Sequence, residues 1–233
     1  MGGGAARGSR GPVIAIDGPT AAGKSTVGRE VARRLGLDYV DTGAMYRSVA
    51  WAALQRKVDL GDAAALERLA AALRIETIFD ASGHRILVDG QDVTQAIRSP
   101  QVSEAASAVS AVPGVRTTLV ALQRQRAAAG GVVMEGRDIG TVVLPDADVK
   151  VFLQASLDTR ARRRHAELRA RGVQATLEEV RRQEAARDHR DQTRAHSPLR
   201  AAADAVVIDT TARRPEEVAE VIVRMVRERS GAR

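Results

Sequence analysis

The sequence predicts an α/β protein: a parallel five-stranded sheet with helices on both faces, plus a small β insertion and a helical lid. Three observations carry that reading. Short apolar runs recur with helical segments between them, the pattern of parallel strands covered on both faces. Residues 73–92 interrupt this rhythm with two-residue alternation. From Arg160 to Arg194 there are 11 Arg against 6 acids, a surplus suited to handling phosphates.

The elements follow in order. Residues 1–11 (MGGGAARGSRG) are Gly-rich and unpatterned, and read as a disordered tail. The remainder, 12–233, reads as one domain with a core, a substrate region that includes the insertion (about 42–130) and the Arg-rich lid (about 158–195). Val13, Ile14, Ala15 and Ile16 form a buried strand ending at Asp17. Val27, Val31 and Leu35 recur at helical spacing, and Gly36 marks the stop. A second strand is expected over 37–40 and a helix over 44–56. Ile75, Thr77 and Phe79 alternate, Ser82-Gly83 turns, and Ile86 and Val88 alternate again, which predicts a hairpin. Ser99 caps a helix with Pro100 at its first position, and Pro113-Gly114 separates it from a second helix reaching about Ala129. Val102, Val109 and Val112 are expected in the core. Further strands are predicted at 132–134, 149–153 and 205–208, and Thr176 with Glu179 has the spacing of a capping box.

Bulk properties narrow the chemistry. A chain of 233 residues that is 44% hydrophobic can bury a sizeable core. It has no cysteine, hence no disulfide framework and no thiolate metal site. No apolar run approaches membrane-span length, Gly2-Gly3-Gly4 is not the apolar core of a signal peptide, and Ala6 stands where an N-myristoylation pattern wants Ser or Thr. A cytoplasmic protein without a membrane partner is expected. Net charge is +7, but only 2% of residues are aromatic, which leaves few stacking platforms for single-stranded nucleic acid. Nucleic acid is therefore not an expected partner. His84, His165, His189 and His196 lack metal-ligand spacing.

The sharpest motif is Gly18-Pro19-Thr20-Ala21-Ala22-Gly23-Lys24-Ser25, which satisfies G-x-x-x-x-G-K-S/T directly after a strand and directly before a helix. Glycines let the backbone wrap so that successive N–H groups converge on phosphates, and the helix N-terminus adds attraction. Lys24 offers a mobile cation for the β/γ oxygens and Ser25 a hydroxyl for Mg²⁺. Only three lysines occur beside 33 arginines, so a lysine at this position is hard to read as background. The loop fixes nucleotide binding but not the reaction. The sequence contains no Asn, so the Asn-Lys-x-Asp guanine signature of GTPases is excluded. A small kinase with an Arg-rich lid remains favoured. On the recipient side, Asp41 to Arg47 follows the second strand and Glu135 to Thr141 the next apolar run, where strand carboxyl ends gather ligands. Arg187, Asp191 and Arg194 share one helix face.

With these segments in view, the chain resembles the bacterial cytidylate kinases from about Gly11 to Arg229. GPTAAGKST (18–26), VDTGAMYR (40–47), VSEAASAVSAVPGVR (102–116), EGRDIGTVVLPDA (135–147) and ARDHRDQTR (186–194) carry the likeness. The loop is generic; the GRDIGTVV and DTGAMYR pair together with the 73–92 insertion is much more specific. The resemblance implies a P-loop NTPase-type sheet and transfer of the γ-phosphoryl group of ATP to CMP and dCMP, with Mg²⁺. It implies ATP contacts from Gly18, Pro19, Thr20, Ala21, Ala22, Gly23, Lys24, Ser25 and Thr26, with Arg160, Arg163 and Arg164 opening the lid. It gives the cytosine edge to Thr42, Arg116 and Asp138, and the pentose hydroxyls to Ser107, Arg187 and Asp191. Arg47, Arg137 and Arg194 neutralise the CMP phosphate and the group in flight, and Lys24, Arg137 and Arg194 form the catalytic set.

Two positions depart from the family's usual residues. Thr42 stands where Ser is frequent, keeping the hydroxyl. Glu135 stands where Asp is common, and is left outside the predicted site. Residue by residue, ordinary readings remain open: Tyr46 as packing, Arg160, Arg163 and Arg164 as surface arginines, Asp188 and Asp191 as helix ion-pair partners. UMP or AMP kinases on the same scaffold, and a nucleotide-gated RNA-binding module, are the competing functions. With no heptad and no exposed apolar stripe, a monomer is expected.

Overall fold

The computed structural model describes residues 11–81, 83–194 and 197–231. Residues 1–10 of the expected tail, and Ser82 of the expected turn, lie outside the described residues. Gly11, assigned to the tail from sequence, instead opens β1 (Gly11–Asp17), where it pairs with Gly130; an added Cβ would meet the Gly131 backbone at 2.8 Å.

β1 is the middle of a five-stranded parallel sheet ordered β2-β6-β1-β7-β8, with β2 Asp38–Asp41, β6 Gly130–Gly136, β7 Val149–Gln154 and β8 Val206–Asp209. Its apolar run is buried on both faces, as a central parallel strand requires. Val13 and Ala15 face one core, lined by α2 (Thr42–Gln55), α4 (Pro100–Val109) and α5 (Pro113–Ala127). Ile14 and Ile16 face the other, lined by α1 (Lys24–Leu35) and α8 (Pro215–Gly231). The strand period of two thus divides β1 between two cores. Register sets Asp17 level with Gly136 and Phe152, so the loops after β1, β6 and β7 leave one edge together.

Local chemistry explains most boundaries. Gly36 ends α1 at φ 64°. Helix α2 starts two residues before its sequence-predicted start because Asp41 caps it, accepting from Ala44 N at 2.8 Å. Ser99 caps α4, and Thr176 with Glu179 forms the predicted capping box of α7 (Leu177–Thr193). Val102, Val109 and Val112 are buried. Among the elements that the pattern did not signal are α3 (Ala63–Ala72), the two-residue β5 (Gln91–Asp92) and the closing helix α8. The predicted hairpin is β3 (Ile75–Asp80) against β4 (Gly83–Val88), and β5 extends it to a separate three-stranded antiparallel sheet. That sheet leans on the main one through Tyr39, whose ring lies 5.4 Å from Phe79 and 5.0 Å from His84. α6 (Leu157–Ala170) and α7 pair over a small core of Ala161, Leu168 and Val180.

Candidate active site

The carboxyl ends of the parallel strands open into a cavity of about 600 Å³. Its floor is the turn between β1 and α1. Gly18 holds φ 148°, and a Cβ there would stand 2.1 Å from the Leu153 carbonyl oxygen; Gly23 holds φ 96° just before the helix. Both positions demand glycine. Thr20 through Thr26 line the cavity, whereas Gly18 and Pro19 shape the turn behind it. Lys24 folds back over this turn and donates from Nζ to the Pro19 carbonyl at 2.7 Å. Burial, then the neighbouring Arg137, pushes its pKa down to about 7, with Glu135 and Asp17 opposing.

Glu135, omitted from the sequence-predicted site, is only 3% exposed and central. Its carboxylate accepts from the Tyr39 hydroxyl at 2.6 Å, with the Ser25 hydroxyl close enough to favour its charge. Burial and the Asp41 charge push its pKa up, and Lys24 pulls it back. Two hard oxygen donors, the Ser25 hydroxyl and the Glu135 carboxylate, therefore meet on the cavity wall beside the glycine turn.

Every sequence-predicted recipient residue lines the same cavity: Thr42, Arg47, Ser107, Arg116, Arg137, Asp138, Arg187, Asp191 and Arg194. Thr42 Oγ1 donates to the Glu135 carbonyl at 2.7 Å, fixing the start of α2 against β6. Arg116 and Asp138 form a buried ion pair, with the Arg116 guanidinium 5.9 Å from the Tyr46 ring centroid. Tyr46 both packs against the core and lines the cavity, and burial pushes its hydroxyl up to about 12. Arg47 pairs with Asp41 at 2.9 Å. Arg137 spans the site: Nε meets Asp191 at 2.8 Å, Nη1 donates to the Gly18 carbonyl at 3.0 Å, and Nη2 donates to Thr20 Oγ1 at 2.5 Å. Burial, followed by Arg137, drives Arg187 down to about 10. Arg47 Nε and Arg194 Nη2 are buried donors without a hydrogen bond, the nearest acid to Arg194 being Asp138 at 4.0 Å. Both guanidiniums line the cavity and keep hydrogen-bonding capacity that an anion could use.

The three lid arginines separate. Arg163 and Arg164 line the cavity. Arg163 also donates to the Thr210 carbonyl at 2.6 Å and to Ala21 O at 3.4 Å, and Arg164 pairs with Glu167 at 2.8 Å. Arg160 is 4% exposed and does not line it. Its guanidinium takes both Asp188 oxygens, at 3.1 and 2.5 Å, joining α6 to α7. Across the mouth, Arg171 donates to the Arg98 carbonyl at 3.3 Å, so the lid touches the 3₁₀ turn Ala96–Arg98. Sequence reasoning missed Glu135, Asp41, Arg98 and Thr210. Asp41 ends β2 and lies in a segment the carboxyl-end rule had already marked, though no role was given to it; Thr210 follows β8, where the same rule could have found it, and nothing in the pattern marks Arg98.

Comparison with known proteins shows the family. The family model described as Cytidylate kinase matches residues 14–228. A cytidylate kinase of Pelotomaculum thermopropionicum is 54% identical, covering 92% of this chain and 96% of its own. One of Desulfitobacterium hafniense is 53% identical over 90% of each chain, and one of Mycobacterium avium 51% identical over 94% and 96%.

Proposed function

The chain belongs to the cytidylate kinase family, and on that footing we propose how its site carries the γ-phosphoryl group of ATP to CMP, giving CDP and ADP. The observation that carries this reading is Arg137, one guanidinium joined to the glycine turn, to Thr20 and to lid residue Asp191. It stands where donor and recipient must meet.

In the proposed arrangement the turn 18–26 cradles the ATP phosphates, and Lys24 leaves the Pro19 carbonyl for the β/γ oxygens. Ser25 and Glu135 are the residues that would hold Mg²⁺, their hard oxygens suiting that ion. When bound, Mg²⁺ supplies charge neutralisation on the phosphate oxygens. Thr42, Arg116 and Asp138 read cytosine, which presents O2 and N3 acceptors beside an N4 donor; Ser107, Arg187 and Asp191 hold the pentose. Arg47, Arg137 and Arg194 take the recipient phosphate. The free donors Arg47 Nε and Arg194 Nη2 support that assignment. The recipient phosphate is already anionic near neutral pH, so no strong base is required. Positioning and cations around an in-line, loose transition state supply the catalysis. Arg163 and Arg164 close over ATP and keep water out. Arg160, read from sequence as an ATP contact, is assigned here to holding the lid helices together, which its burial and Asp188 pair favour.

We read residues 12–233 as one kinase domain, acting as a cytoplasmic monomer without nucleic-acid or membrane partners. Among the described residues no single helix is long and apolar enough to cross a membrane. The deciding experiment is a set of initial rates at fixed ATP and Mg²⁺ with CMP, dCMP, UMP, AMP and GMP. CMP and dCMP are expected to lead. A purine preference, or an inert protein, overturns the reading.

A further inference from the structure

The residues that follow β6 carry Arg137 and Asp138 and then enter a π-helical turn, Ile139–Val143. A helical turn opens with free N–H groups, and the residue before it ordinarily caps them. Asp138 occupies that position but makes no capping bond; its carboxylate is turned to Arg116 instead. The two leading amides are satisfied from another strand. Asp17, at the end of β1, accepts from Ile139 N through Oδ1 at 2.8 Å and from Gly140 N through Oδ2 at 2.7 Å. Asp17 is 4% exposed, and the backbone of Gly140 packs closely beside it. A Cβ on Gly140 would stand 3.4 Å from Asp17 Oδ2 and 3.3 Å from Lys150 Cδ.

We propose that Asp17 is a positioning residue for the recipient nucleotide: it caps the 138–140 turn from the neighbouring strand and thereby frees the Asp138 side chain for the base. This rests on the reading of the site given above. Because Gly18 follows Asp17 directly, the same carboxylate sets the recipient loop at a fixed place beside the donor loop. The cap needs an ionised acid, since both oxygens accept. A proton on one oxygen, or an amide group in its place, turns one acceptor into a donor facing another N–H. Burial pushes Asp17 up to about 6, the two amides hold it down, the Asp138 charge raises it and Lys24 lowers it; Lys150 lies alongside with its ammonium committed to Asp204.

The test uses full-length protein and Asp17→Asn. A shift of about 1 Å in reacting groups can cost on the order of 10²-fold, so kcat/KM for CMP is expected to fall about 10- to 100-fold. KM for ATP should move less than about twofold, and the preference for CMP over UMP should shrink with Asp138 misplaced. Parallel rises in both KM values with base preference kept would show a merely structural role and overturn the proposal. Amide hydrogen exchange is the second measurement, and wild-type protein alone suffices if the variant does not fold. Protection at Ile139 and Gly140, corrected for intrinsic rates, should decline as pH falls from 7 to 5 while β6 amides stay protected. Unchanged protection overturns the cap. Wild-type protein inert toward CMP would overturn the functional reading and the recipient role with it, whereas exchange judges the cap independently.

Discussion

Lys24 lives under opposing demands: it is the cation the phosphates need, yet it is 6% exposed among other cations. Removing it relieves burial and repulsion from Arg137 and loses one hydrogen bond to the Pro19 carbonyl. Lys24→Ala should therefore lower kcat/KM by about 10²- to 10³-fold, the range for losing one electrostatic donor, with little change in thermal midpoint or circular dichroism. Activity and structure lost in equal measure would refute it. Asp17 gives a second residue-level prediction. Its folded pKa, about 6, lies above the ordinary 3.8, so the fold favours the protonated acid. That contribution to stability is present below about pH 4 and is lost as pH rises through about 6. Relative to Asp17→Asn, wild-type stability should fall by about 3 kcal/mol between pH 4 and 7.5 in urea titrations. A constant gap between the two proteins would contradict the raised pKa. The placement of Lys24 in its motif and of Arg137 after its strand, both lining the cavity, was legible in the sequence. Glu135 was not, because its role depends on Tyr39 and Ser25 converging from other elements.

At the scale of elements, the lid is held by buried charge more than by apolar packing. α6 and α7 share a small core of Ala161, Leu168 and Val180, with Val173 and Ala175 against it; Arg160 with Asp188 is the buried ion pair between them, and Asp158 with Arg181 an exposed one. Asp188→Ala would leave the Arg160 guanidinium buried with Glu184 3.9 Å away as its nearest remaining acid. Breaking such a pair costs roughly 3–5 kcal/mol, enough to undock the helices locally. Limited proteolysis should then cut within 157–193 well before the core, and ATP should protect less than in wild type. A cleavage pattern equal to wild type would show that the apolar contacts suffice. From sequence, Arg160 looked the same as Arg163 and Arg164, because charge alone does not reveal whether a guanidinium faces a carboxylate or a cavity. The strands and most helices were legible through periodicity and caps. α3 was overlooked although Leu66, Leu69 and Ala70 recur at helical spacing behind the Asp62 cap; β5 escaped because two residues make no pattern.

For the whole molecule, the net charge of +7 is less informative than its placement. Arginines from α1, α2, α5, α6, α7 and the loop after β6 line one cavity, and their mutual repulsion shows in Arg187, driven down to about 10 by burial and then Arg137, and in Arg98, lowered by burial and then Arg171. Repulsion among these arginines costs stability, and polyanionic ligands would offset it. Two consequences separate this picture from a basic surface made for RNA. CMP and ATP should each raise the thermal midpoint, since ligands that bind only the folded state stabilise it by RT ln(1 + L/Kd), L being the free ligand concentration. KM for CMP should rise several-fold from about 20 to 200 mM KCl, as screening weakens attraction into the cleft, while kcat changes little because the closed site excludes mobile ions. A basic RNA-binding surface would instead give a steep salt dependence for RNA affinity, with nucleotides leaving the midpoint unmoved. Steady-state kinetics at fixed free Mg²⁺ across that salt series, paired with RNA titrations, decides the matter. A flat KM for CMP beside salt-sensitive RNA binding would place the working charge on the exterior of the lid helices instead of inside the cleft.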